Sequence, residues 1–77
     1  MKKKNIEDFI DYVYDLVYQQ DLIQKVDVIK LNEKLQLMHV KKNDINKIID
    51  IVDDEIYSCN ILSNETEKKI IKILRKY

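Results

Sequence analysis

Seventy-seven residues, 45% hydrophobic and 36% charged, with fourteen basic against fourteen acidic side chains, fit one domain around a single modest core. The chain has no glycine, proline, tryptophan or alanine and one cysteine, which excludes glycine-rich phosphate loops, zinc ribbons and disulfide frameworks. Tight hairpin turns would have to rest on asparagine or aspartate, so the composition predicts an all-α fold, a small four-helix bundle over residues 1–77.

Met1-Lys2-Lys3-Lys4 could open a signal peptide, but Glu7, Asp8, Asp11 and Asp15 occupy the segment where its apolar stretch would lie. No apolar run reaches membrane-span length, and a lone Cys59 suits a reducing compartment, so a cytoplasmic chain is expected. Thirteen isoleucines, thirteen lysines and no alanine point to an AT-rich genome, such as a low-GC bacterium, its phage or a mobile element.

Ile6, Phe9, Ile10, Val13 and Val17 recur at helical spacing and predict a first helix, with Asn5 as N-cap and Gln19-Gln20-Asp21 as its end. Leu22 to Val26 fits a helical turn or a connection. A second helix is predicted over about Asp27 to Met38, with Val28, Leu31, Leu35 and Met38 inward. After polar His39 to Lys42, Asn43 or Asp44 caps a third helix that turns Ile45, Ile48, Ile49, Val52 and Ile56 inward. Ser58 to Ser63 connects to a fourth, capped by Asn64 with Glu67 and running through Ile70, Ile71, Ile73, Leu74 and Tyr77.

Laid on itself at an offset of 39 residues, the chain matches at ten of 38 pairs, including Ile6/Ile45, Ile10/Ile49, Asp11/Asp50, Val13/Val52, Asp15/Asp54 and Tyr18/Tyr57. Duplication would make two helical hairpins, 1–39 and 40–77. Two amphipathic helices drawn from one narrow alphabet would also match. Either way, a domain this small buries about 60% of its unfolded surface, and dimerisation is the expected remedy for marginal stability.

The balanced charge is segregated. Residues 1–4 carry +3, 5–27 carry −5, 28–49 carry +3, 50–55 carry −4 and 60–77 carry +3. Asp8, Asp11 and Asp15 lie opposite the first apolar stripe, flanked by Tyr12 and Tyr18; Asp50 and Asp54 take corresponding places on the third helix, beside Tyr57. Any one such stripe can be an ordinary solvated face. Acids late in a helix oppose its dipole, however, so Asp15 and Asp53-Asp54-Glu55 call for a basic partner, in the fourth helix or in another molecule. The opposite sign collects at Lys68, Lys69, Lys72, Arg75 and Lys76, where the dipole favours it.

Enzymatic signals are weak. His39 fits a surface or C-capping histidine, and Cys59 would need His39 brought beside it to form a nucleophilic pair. Asp11/Asp15 and Asp50/Asp54 have i, i+4 spacing but point away from the core, so no metal site, cofactor or catalytic residue is expected. Residues 28–37 followed by 44–49 (Val28, Leu31, Leu35, Leu37, then Ile45 and Ile48) resemble the helix-turn-helix of winged-helix and repressor domains, which implies DNA binding. Against it stand a turn longer than three or four residues, acids on the would-be recognition helix and no glycine-bearing wing.

The favoured expectation is a non-enzymatic regulator, inhibitor or adaptor that binds a basic protein partner through Asp8, Asp11, Tyr12, Asp15, Tyr18, Asp50, Asp54 and Tyr57. The alternative is a nucleic-acid-binding regulator using the helix-turn-helix or Lys68, Lys69, Lys72, Arg75 and Lys76.

Overall fold

The computed structural model describes residues 2–19, 23–58 and 62–77. Among them the chain forms four helices and no strand: α1 (Lys3–Gln19), α2 (Lys25–Leu37), α3 (Lys42–Ser58) and α4 (Asn64–Leu74). Gln20, Asp21, Leu22, Cys59 and the rest of the connection at 60–61 lie outside the described residues.

Each helix begins earlier than its apolar pattern suggests, because backbone carbonyls and side chains upstream supply the first acceptors. The Lys2 carbonyl accepts from the N–H groups of Asn5 and Ile6 (3.1 and 3.4 Å), so Asn5 lies inside α1 and does not cap it. Gln24 is the N-cap of α2, and its N–H donates to Oδ2 of Asp27 at 2.9 Å. Ile45 N–H donates to the Lys41 carbonyl at 2.9 Å, which places Asn43 and Asp44 within α3. In α4 the cap is Ser63, whose hydroxyl accepts from Thr66 N–H at 3.2 Å, so Asn64 is the first helical residue.

Phe9, Ile10, Val13, Leu16 and Val17 of α1 meet Ile45, Ile48, Val52 and Ile56 of α3 in one core, completed by Leu31, Leu35, Val40, Leu62, Ile70 and Leu74. Helix α3 packs closely against α1, α2 and α4, and α1 against α4; α1 and α2, neighbours in sequence, are not among the closely packed pairs. The 39-residue offset extends to element boundaries. Helices α1 and α3 both span 17 residues, from Lys3 and Lys42, and α2 and α4 start at Lys25 and Asn64. Buried positions follow it too: Phe9/Ile48, Val13/Val52, Val17/Ile56, Leu31/Ile70 and Leu35/Leu74.

A chain without glycine still needs left-handed residues to end helices, and His39 takes that place with φ 61°. Its N–H donates to the Gln36 carbonyl (2.9 Å) and Val40 N–H to that of Leu35 (3.1 Å), while Val40 is buried beyond. These are the two bonds of a Schellman motif. His39 is exposed, at the end of α2. Left-handed backbone costs a residue bearing Cβ roughly 1–2 kcal/mol, and glycine returns part of that as unfolded-state entropy. His39→Gly is therefore expected to raise stability by about 0.5 kcal/mol in urea denaturation, and His39→Val to lower it.

Candidate functional site

Helix α1 presents Asp8, Asp11 and Asp15 to solvent, and α3 presents Asp50, Asp53 and Asp54. Asp50, Asp53, Asp54 and Tyr57 recur at i, i+3, i+4 and i+7 and make one stripe, into which Asp53 belongs although the sequence reading left it out. Among the described residues the ion pairs are Lys3–Glu7 and Lys76–Asp44, and neither draws on these acids. No hydrogen bond, ion pair or ring contact joins the α1 set to the α3 set among the described residues. They are two stripes on two packed helices.

The tyrosines differ in their surroundings. Tyr18 and Tyr57, equivalent at the 39-residue offset, are 60% and 80% exposed. Tyr12 is half-buried with the Lys34 ammonium 4.6 Å from its ring centre, so it edges the α1 acids on the α2 side. Burial, and then the charge of Asp27, raise its hydroxyl above the usual tyrosine range. Tyr14 is a residue the sequence reading missed. Its ring stacks on Tyr18 (centroids 6.1 Å apart, planes at 11°) and its hydroxyl donates to Oε2 of Glu67 at 3.1 Å. This anchors the Tyr18 end of the stripe to α4.

Two other acids, Asp44 and Glu55, belong to the fold. Tyr77 donates its hydroxyl to Oδ2 of Asp44, Lys76 Nζ sits 3.3 Å from Oδ1, and Lys41 N–H donates to the Tyr77 oxygen at 3.1 Å. The Tyr77 bond foremost, then Lys76 and Lys47 against the opposing effect of burial, holds the Asp44 carboxyl below its ordinary range. Glu55 is 9% exposed. Its Oε1 accepts from Ser63 N–H (2.7 Å) and its Oε2 from the Thr66 hydroxyl (3.1 Å), at the positive end of the α4 dipole. Burial pushes its carboxyl up, but the Ser63 and Thr66 hydrogen bonds with the Lys69 charge outweigh that and hold it below its ordinary range. The partner that the late acids call for thus lies within the fold for Glu55, while Asp53 and Asp54 stay exposed.

Carboxyls depressed in the folded state stabilise it above their unfolded pKa and lose that contribution as pH falls through the folded pKa. Acid unfolding is therefore expected to begin below about pH 4 and to shift to higher pH in Tyr77→Phe, which removes the leading donor to Asp44. Circular dichroism against pH checks this; an unshifted midpoint in the variant would contradict it.

On α4, Lys68, Lys69 and Lys72 are exposed, with Arg75 at the C-cap, whereas Lys76 is engaged by Asp44. Residues 38–41 separate α2 from α3, a four-residue interval that corrects the expectation of a turn too long for a helix-turn-helix. Helix α2 runs to Leu37, and the Schellman closure at His39 makes the reversal tight. The exposed faces of α3 are polar and basic at first (Lys42, Asn43, Asn46, Lys47) and acidic afterwards. No group of three His, Cys, Asp or Glu side chains among the described residues could hold a metal ion, and no helix there is long and apolar enough to cross a membrane. No known protein family, curated protein or solved structure matches this chain.

Proposed function

We propose that the protein is a small non-enzymatic regulator, inhibitor or adaptor of the cytoplasm that acts by binding a basic protein surface through the two acidic stripes. One observation carries this reading: among the described residues no ion pair reaches the acids of either stripe, and each stripe ends in a tyrosine left mostly in solvent. Exposed tyrosine supplies large contact area at small entropy cost, and uncompensated carboxylates steer a basic partner toward it. Asp15, Asp53 and Asp54 lie in the C-terminal halves of their helices but a turn or more before the ends, where the helix dipole acts on them only weakly. The shared boundaries at an offset of 39 support an origin by duplication, with Asp11/Asp50, Asp15/Asp54 and Tyr18/Tyr57 as two copies of one binding element. Homodimerisation belongs to the same reading, given the small core.

DNA binding is the second reading, favoured by the four-residue turn and the exposed Lys42, Asn43, Asn46 and Lys47 at the start of α3. Titration of fluorescent duplex and single-stranded oligonucleotides at two salt concentrations separates the two. Protein binding predicts no salt-sensitive micromolar complex with either. Micromolar binding that weakens steeply with salt, and is lost on neutralising Lys68, Lys69, Lys72 and Arg75 or Lys42 and Lys47, would reverse the ranking.

A further inference from the structure

Helix α2 gives the core two fully buried leucines, as many apolar residues as α4 gives, but its outer face is unusual. Only Leu31 and Leu35 among its apolar residues are fully buried, while Val26, Ile29 and Leu37 are exposed, Leu37 at 81%. Val26, Lys30, Glu33 and Leu37 are spaced four, three and four residues apart, so they form one straight stripe opposite Leu31 and Leu35. That is the seam spacing of a coiled coil, and shallow grooves lined by Tyr12, Lys30, Glu33, Lys34 and Leu37 run along it.

We infer that this stripe is the homodimer interface, formed by antiparallel pairing of α2 with α2 of a second copy about a twofold axis between residues 31 and 32. The sequence is self-complementary about that axis. Val26 meets Leu37 of the second copy and Lys30 meets its Glu33, and the twofold repeats both contacts. Every seam residue then finds an apolar or oppositely charged counterpart, with Ile29 flanking the seam. Neither Lys30 nor Glu33 takes part in an ion pair within the chain among the described residues. A parallel pairing would instead set Lys30 against Lys30 and Glu33 against Glu33. Charge complementarity thus selects a copy of this same chain, in one orientation. The seam lies on α2 and meets the α1 stripe at Tyr12, while Asp11, Asp15, Asp50 and Asp54 stay open to another partner.

This inference rests on the dimeric state proposed above. A seam of thirteen residues, about 20 Å long, buries less than the roughly 1,200 Å² of a standard-size interface, so the dimer is weak. Sedimentation of the whole chain should show monomer and dimer exchanging, with a dissociation constant of about 10–100 µM. Lys30→Glu and Glu33→Lys should each weaken self-association by about tenfold or more, since each sets like charges across the axis. The double variant Lys30→Glu/Glu33→Lys should restore it. An equimolar mixture of the two single variants should form a heterodimer, because one supplies two glutamates and the other two lysines. Lys30 and Glu33 are both exposed, so helicity should hold throughout. A native chain that stays monomeric at millimolar concentration would refute both dimer and interface. A dimer indifferent to the charge exchange would keep the dimer and refute this interface.

Discussion

Ile48→Ala is expected to cost about 3–4 kcal/mol and to leave much of the protein unfolded at physiological temperature. Ile48 is fully buried at the middle of α3, the helix that packs closely against each of the other three. Truncating a core isoleucine removes transfer energy and leaves a cavity, together about 2–5 kcal/mol. Without glycine or alanine the neighbouring Ile, Leu and Val side chains have little freedom to collapse into the gap. A domain of this size holds roughly 4–10 kcal/mol in total, so the loss is a large share of it. Urea denaturation followed by circular dichroism measures the change. Ile29→Ala on the outer face of α2 is the control, expected to shift monomer stability by less than about 0.5 kcal/mol. A loss below about 1 kcal/mol at Ile48 would contradict the central place of α3.

Glu55→Ala follows in size, at about 2–3 kcal/mol. The carboxylate satisfies the N–H of the α4 cap, Ser63, and the hydroxyl of Thr66 at once. Its removal strands both donors in a part-buried site and deprives the α4 N-terminus of a negative charge. In α2 the equivalent donor, Gln24 N–H, is satisfied from within the same helix by Asp27. In α4 the corresponding position is Thr66, which lacks the reach and charge, and Glu55 supplies the acceptor from the neighbouring helix. Glu55→Gln keeps the carbonyl for Ser63 and should cost about 1 kcal/mol, a difference that hydrogen exchange at the start of α4 would localise. Equal losses in the two variants would mean that the neutral acceptor contributes nothing and that the charge carries the whole effect.

The helices and their inward faces are legible in the sequence because period-3.6 runs of isoleucine, leucine and valine outweigh everything else; Phe9, Val13, Ile48 and Ile70 are placed by periodicity alone. The caps are less legible. Asn5, Asp44 and Asn64 have the right side chains, but the first acceptors come from the Lys2 and Lys41 carbonyls and from Ser63, which only the folded backbone reveals. Asp44 reads as a helix cap and Glu55 as an acid in want of a basic partner, and neither reading finds the groups they bind, because Ser63, Thr66, Tyr77 and Lys76 lie 8 to 33 residues away in sequence. A signal for Glu55 did exist: it falls where Leu16 lies at an offset of 39, a position buried in both helices. For the candidate site, the exposure of Asp11, Asp15, Asp50, Asp54, Tyr18 and Tyr57 follows from spacing. The division between a half-buried Tyr12 and an exposed Tyr18 does not, because it depends on the placement of Lys34 and Tyr14.

The central claim, that the acidic stripes are the working surface, is tested most directly by affinity capture with Asp11, Asp15, Asp50 and Asp54 all changed to lysine. These side chains are exposed and unpaired among the described residues, so the variant should keep its helicity. A basic protein retained by the native chain, released by salt and lost from the charge-reversed chain is the predicted result. Capture that is unchanged by the four reversals would contradict the account.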